Sequence, residues 1–540
     1  MKRWVATTTA ILMVLSMVLL AACGKGDSNA MAEKQVLNVG YIVSEPPALD
    51  PLKATDDQSG LILRHIMEGL VRVDKNGKVE PGMATNWDVM DGGKKIVFHL
   101  RDAKWSNGDP VTAHDFEFAW KRLLDPKNAA EYAYQLFYLK NGEAYNSGKA
   151  KAEDVGVKAL DDKTLEVTLE APVPYFVTLT SFYPFFPVNK KVVEKDPNWG
   201  TNAKTYVSNG PFLLKTWVHD KKVEIVKNPN YWNAKRIKLS QINFPFVGEE
   251  QTEYQMYVSG SLDINRNVPN DLAPKLIKEK KAKVNKDPSM YFYVFNTKKK
   301  PFDNVKIRKA FSLAIDREAI VKDVLGQGQT PATGWVPWGI PDFAQNKEWV
   351  QTHDPYIQPK ANPAEAKKLL QEGMKEAGIS KLPEITISYN TNDGHKKIAE
   401  AVQQMWKQNL GVNVKLANME WKVFLDNLTQ GNFQVARYGW YPDYIDPMTF
   451  IDLWVTGGGN NHAKYSNPQY DALIKQAKST DDQKVRMEAM HKAEEMLARD
   501  IPVTPIYNYT RVYQIKDYVK GFYQEMDGQF NFLDTYLTEK

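Results

Sequence analysis

Alternation and spacing of apolar positions are most legible between residues 384 and 440. Residues 384–389 place Ile385, Ile387 and Tyr389 between polar neighbours, the period-two pattern of a strand. Residues 395–410 put Ile398, Val402, Met405 and Trp406 on one helical face, and Gly411 ends that run. Residues 412–416 are again strand-like, 421–428 fit a short helix, and 433–438 fit a third strand. Strand, helix, strand, helix, strand at this spacing implies right-handed crossovers and parallel strands. Ligands of such sheets bind beyond the carboxyl ends of the strands. Two loops leave those ends, 390–395 and 439–446, so both are expected to face one crevice.

Elsewhere the pattern is mixed. Residues 36–43, 95–100 and 164–170 read as strands, and 113–124 as a helix stopped by Asp125-Pro126. Residues 306–322 carry Ile307, Ala310, Phe311, Ala314, Ile315 and Ile320 near helical spacing and predict one helix. Asn362-Pro363-Ala364-Glu365 is a helix start with a cap, a first-turn proline and a glutamate at the third position, and Gly378 is the matching stop. The fold class expected is α/β.

The first 34 residues follow another logic. Lys2 and Arg3 precede an apolar run from Ala10 to Ala22 broken only by Ser16. About 13 apolar residues are too few to span a bilayer comfortably, but they suit a secretory leader. The run closes on Leu20-Ala21-Ala22-Cys23, which resembles a bacterial lipobox, and Cys23 is the only cysteine in 540 residues. The expectation is a signal peptide over 1–22, lipid on Cys23, and a small polar tether over 23–34. Stable anchoring by lipid takes more than one acyl chain. Losing Lys2 and Arg3 lowers the formal charge from +5 to +3, too mild an excess to argue for nucleic acid. With no second cysteine there is no intrachain disulfide, so large apolar cores must hold the chain.

Motifs for bond-making chemistry are missing. No two of the eight histidines fall within five residues of each other, and no cysteine pair exists, so zinc has little support from spacing. There is no Gly-x-Ser-x-Gly elbow and no phosphate-binding glycine loop. Paired carboxylates acting on a glycan remain an open alternative, because acids distant in sequence can meet in space. Half of the 14 tryptophans fall between Trp335 and Trp454. Trp406 lies on an apolar helix face and reads as core. Trp440 follows Gly439 in a crevice loop, where an aromatic ring offers broad apolar contact to varied ligands. An adhesin or surface carbohydrate-active enzyme is the reading from a different class.

Several motifs in order then carry a family resemblance. They are Ala84-Thr85-Asn86-Trp87, Ile96 to Arg101, Lys104 to Gly108, Pro110 to Asp115, Asn209-Gly210-Pro211-Phe212, Asn228 to Trp232, and Ala314-Ile315-Asp316-Arg317. Together they resemble the extracellular solute-binding proteins of the peptide and nickel class, most closely its oligopeptide-binding members. The resemblance implies a type II periplasmic-binding-protein fold: two α/β lobes with a hinge and an extra α+β domain on the first. It places lobe I at 35–67, 190–293 and 505–540, the extra domain at 68–189, and lobe II at 294–504. It implies a monomeric receptor, not an enzyme and without cofactor or metal. Such a receptor is tethered on the extracytoplasmic face of the membrane and delivers oligopeptides to an ATP-driven permease. The same fold tuned to dipeptides, murein peptides or signalling peptides is the neighbouring alternative.

The resemblance also implies a site. Asp443 corresponds to the acid that anchors the peptide α-ammonium, because a buried charge needs a partner. Arg437, Tyr438, Gly439, Trp440 and Tyr441 correspond to the adjoining loop and the edge that pairs with peptide backbone. Thr55, Asp56 and Asp57 match the first lobe's pairing segment. Thr55 and Asp57 depart from the family pattern, which affects side-chain contacts there and not the backbone role. Tyr132 and Trp421 match aromatic wall positions. Arg437 and His395 correspond to positive groups for the peptide carboxylate, and Leu325 stands where the family uses a lysine.

Overall fold

A computed structural model describes residues 30–539. The leader and Cys23 lie outside the described residues. No helix among the described residues is long and apolar enough to cross a membrane.

One large sheet organises the molecule. Its order is Lys415–Met419, Thr386–Asn390, Val435–Trp440, Lys283–Phe295, Val503–Ile515, Ile264–Asn265, Val36–Gly40, Gln241–Pro245, Lys222–Lys227, Phe212–Val218. The two central strands are each 13 residues long and run antiparallel. They are the seam between two groups of strands. On one side Thr386–Asn390 pairs in parallel with both Lys415–Met419 and Val435–Trp440. On the other, Val36–Gly40 pairs in parallel with Gln241–Pro245 and with Ile264–Asn265. Residues 287–295 and 503–508 are buried without a break. Such unbroken burial marks strands covered on both faces. The seam carries register shifts between Lys286 and Met290 and between Tyr291 and Phe292, the irregularities that bend a strand.

The crossovers expected from spacing over 384–440 are present, with adjusted ends. The middle strand begins at Lys415, because the Val412 amide still bonds the Trp406 carbonyl at the helix end. Asn362 caps Pro363–Glu376 as read, accepting from the Glu365 amide at 3.2 Å. Residues 306–322 do not form one helix. Val305–Leu313 stops, and Asp316 restarts the chain by capping the Ala319 amide at 2.9 Å. An aspartate's local bond competes with helix continuation. Arg317 turns into the core, where it donates to the Pro505 carbonyl at 2.7 Å and the Thr504 hydroxyl at 2.8 Å.

A second, four-stranded antiparallel sheet joins Ala84–Met90, Lys95–Leu100, Thr164–Thr168 and Val157–Asp161. The helix Ala113–Leu124 covers it, and the Trp120 indole bonds the Phe185 carbonyl at 2.8 Å. The motifs that carried the family resemblance hold this frame together. The Trp105 indole bonds Asp115, whose carboxylate also accepts from the Thr112 amide. Asn209 clamps the Glu68 backbone, and Tyr231 and Trp232 each donate to the Glu68 carboxylate at 2.6 Å. A Cβ on Gly210 would sit 2.5 Å from the Ile66 backbone, so only glycine fits that crossing. From this inserted region the 3₁₀ turn Glu131–Leu136 reaches the helix Trp421–Gln430, which belongs with the Thr386–Asn390 strand group, and Glu131 accepts there from Thr429 at 2.7 Å.

Candidate functional site

Between the two strand groups and under the inserted region lies a cavity of about 710 Å³. Sites for small ligands span about 300–1,000 Å³. The structure brings every side chain singled out in the sequence to this one cavity: Thr55, Asp56, Asp57, Tyr132, His395, Trp421 and Arg437 through Asp443 line it. Both loops expected at the carboxyl ends of the parallel strands therefore do face one crevice. Leu325 lines it as well.

Asp443 follows the end of the Val435–Trp440 strand. Its Oδ2 accepts from Gln135 Nε2 at 2.8 Å and its Oδ1 from the Tyr132 hydroxyl at 3.3 Å. Residues i and i+3 eclipse in a 3₁₀ turn, so Tyr132 and Gln135 present together. The Asp443 amide is held by Thr449 at 3.0 Å. Both donors to the carboxylate are neutral, and among the described residues no cation pairs with it. Burial, and then the nearby Asp452, push its pKa well above the ordinary aspartate value despite those hydrogen bonds. Asp452 itself is paired with Lys478 at 2.9 Å, so that lysine is already engaged.

Arg437 mirrors this arrangement with the opposite sign. It is buried, donates to Asn390 at 3.1 Å and to the Tyr509 hydroxyl at 3.0 Å, and lies over the Tyr291 ring. Its Nε has no partner, and no carboxylate among the described residues pairs with it. His395 sits in the first turn of the helix Asp393–Leu410, with its own amide capped by Asn392 at 3.1 Å. Burial, then the Arg437 charge, pull its imidazole well below the usual histidine range. That environment disfavours the charged imidazole in this arrangement.

The edge beside these groups is half-used. Trp440, Gly439 and Tyr438 pair with Met290, Tyr291 and Phe292 on one side. On the other side the pairing with Thr386–Asn390 stops at Ser388 opposite Ala436. The backbone of 438–440 therefore keeps an unpaired side, flanked by cavity-lining Asn390 and His395. Across the cavity, Asp56 is extended and caps the helix Asp57–Ile66 through the Gln58 and Ser59 amides. Its second oxygen is buried without a hydrogen bond, and burial raises its pKa to about 6. Asp57 is paired with Arg266 at 3.2 Å. Trp440 is buried 6.3 Å from the Tyr132 ring, Tyr441 stacks on Tyr509 at 5.9 Å, and Trp421 stacks on Phe424 at 6.1 Å.

Sequence reasoning missed Gln135, Glu250 and Arg266. Gln135 had a signal, since it lies one 3₁₀ turn after Tyr132. Glu250, raised by burial and then Asp393 to about 7, and Arg266 had none, because only long-range packing brings them here.

A model of the bacterial extracellular solute-binding proteins, family 5 middle, matches residues 78–462. The chain is 41% identical over 554 residues to the oligopeptide-binding protein OppA of Bacillus subtilis, covering 99% of each. It is 43% identical over 510 residues to the dipeptide-binding protein DppE of the same organism, covering 94% of this chain and 93% of the relative. Among solved structures, the murein tripeptide-binding protein MppA of Escherichia coli superposes with a TM-score of 0.88 at 35% identity, covering 95% of this chain and 100% of the other. The unliganded open form of MppA gives 0.62 at 34% identity, covering 95% and 99%. The two halves here are thus arranged unlike that open form.

A buried carboxylate without a counter-charge has a stability signature. Its folded pKa lies above the unfolded one, so ionisation favours the unfolded chain. The penalty is absent below the ordinary value near 3.8, grows as pH rises toward the folded pKa, and is full above it. Asp443→Asn keeps both hydrogen bonds, since the amide can donate to the Tyr132 hydroxyl. It is expected to raise the urea midpoint of the ligand-free protein at pH 7 and leave it nearly unchanged at pH 3.5. An equal or lower midpoint at pH 7 would refute the assignment.

Proposed function

The chain belongs to the bacterial extracellular solute-binding proteins of family 5, and on that premise we propose that it binds oligopeptides outside the membrane and delivers them to an ATP-driven permease. The fold is the type II periplasmic-binding-protein arrangement, two α/β lobes joined by a hinge. We take lobe I as 35–67, 190–293 and 505–540, the extra domain as 68–189, and lobe II as 294–504.

Asp443 carries the reading. Leaving a charge buried and unpaired costs several kcal/mol. A ligand with an ammonium group removes that cost, and every free peptide begins with one. Arg437 asks for the opposite end. The peptide carboxylate meets the unpaired guanidinium, and His395 beside it regains a proton when the anion arrives. Between these ends the open side of residues 438–440, with Thr55–Asp57 opposite, takes the peptide backbone by strand addition. Backbone donors and acceptors are the same in all peptides, so recognition is largely blind to sequence. The aromatic walls, Tyr132, Trp421 and Trp440, give side chains apolar contact without fixing one partner. Leu325 offers no charge, so peptides whose carboxylate reaches that position lack an ion pair there. The receptor binds and releases without making or breaking a bond. Lipid on Cys23 keeps a monomeric receptor at the extracytoplasmic face, within reach of the permease.

Two measurements test this. In calorimetry, Asp443→Asn weakens binding of free-amine peptides by roughly 2–5 kcal/mol, and N-acetylation of the peptide weakens binding to the unaltered protein comparably. Unchanged affinity in both would remove the amine anchor. A Cys23→Ala chain expressed in its host is recovered in the soluble extracytoplasmic fraction. Retention in the membrane fraction would end the lipid-anchor reading.

A further inference from the structure

The excursion formed by residues 329–356 lines the cavity through Gln329, Pro341 and Phe343, and behind that wall it is fastened to the helix Gln483–Asp500 by a knot of histidine, tryptophan and acid side chains that does not line the cavity. His353 Nδ1 lies 2.9 Å from the Asp354 carbonyl oxygen. A carbonyl only accepts, so Nδ1 holds the proton, and Nε2 of the neutral ring has a lone pair. That Nε2 is buried without a hydrogen-bond partner. It stands 3.6 Å from Oε2 of Glu494, a fully buried carboxylate.

Glu494 already accepts three bonds. Oε1 takes the Trp335 and Val336 amides at 2.7 and 3.2 Å, and Oε2 takes the Trp349 indole at 2.6 Å. One lone pair and the negative charge are left, opposite a ring nitrogen that also has only a lone pair to offer. Two Lewis bases face each other at 3.6 Å.

His491 repeats the pattern. Its Nε2 is 2.9 Å from Oδ2 of Asp342, a buried carboxylate whose other oxygen takes the Ala344 and Gln345 amides. The carboxylate accepts, so Nε2–H donates and Nδ1 keeps a lone pair. One ring nitrogen each from His353 and His491, with an oxygen of Glu494, lie within 4.8 Å of one another.

We propose that His353, His491 and Glu494 bind a divalent first-row transition metal, zinc foremost, and that the ion fastens the 329–356 excursion to the helix. Two imidazoles and one carboxylate are a ligand set zinc accepts, with a fourth position for water. Asp342 and the Asp354 carbonyl orient the two rings from behind, as outer partners of metal-bound histidines do. His353 and His491 keep 12% and 18% of their side chains exposed, which gives the ion a way in. The two histidines are far apart in sequence, so no spacing motif marks them. The arrangement that competes with a metal puts a second proton on His353 and makes an ion pair with Glu494.

The test uses the full chain, stripped with a chelator and titrated with zinc chloride in a calorimeter. One zinc ion per chain is expected, with a raised melting temperature. His353→Gln and His491→Gln are each expected to weaken binding by on the order of 100-fold. Either variant could misfold, so X-ray absorption on the zinc-loaded unaltered protein is the second readout, with two imidazole ligands expected. Zinc binding unchanged in both variants, or a zinc shell without imidazole, overturns the proposal. So does failure to bind zinc with both His353 nitrogens carrying protons by nitrogen NMR.

Discussion

The cost of burying a charge without its partner orders this molecule. Most of its buried ions obey the rule: Arg486 is held by Asp446 at 2.8 Å, Arg511 by Asp287 at 2.5 Å, and Lys478 by Asp452 at 2.9 Å. Arg317 does without an acid but is satisfied by carbonyls and hydroxyls. Asp443 and Arg437 break the rule, with opposite signs, and both line the same cavity. Ground-state stability is given up where a zwitterionic chain would restore it, the usual relation between function and local destabilisation.

The frame makes that deficit usable. A single pair of long strands forms the seam between the two halves, and the cavity lies at their junction. In this arrangement the donors of the inserted region, Tyr132 and Gln135, meet an acid of the far strand group. An unfinished strand edge, residues 438–440, lines the same cavity as the segment Thr55–Asp57. On the proposed reading, charge chooses the ends of a ligand and the open edge takes its middle. Neither device reads a side chain, which suits a receptor for varied peptides.

Much of this was legible along the chain. Period-two and helical spacing over 384–440 located the three parallel strands and both crevice loops, because each element there is regular and its turns are marked by glycine. The continuous helix expected over 306–322 failed at Asp316, whose local cap and the buried Arg317 outweigh apolar spacing. The motifs that announced the family are mostly scaffold: Asn209, Gly210 and Tyr231 hold Glu68 and a tight crossing, and do not themselves line the cavity. Gln135 was marked only by its place one 3₁₀ turn after Tyr132, whereas Glu250 and Arg266 left no local trace, since their roles arise from packing between segments more than a hundred residues apart. The same holds for the meeting of His353 with His491 and Glu494 of the helix Gln483–Asp500.

The central claim is that Asp443 is a buried acid awaiting an ammonium ion. Carbon-13 NMR of its carboxyl group, assigned with Asp443→Asn, reads this directly in the ligand-free protein and in a complex with a free-amine peptide. The account predicts titration well above the ordinary aspartate range when free, and a large fall once the peptide is bound. The same titration in both states would contradict it.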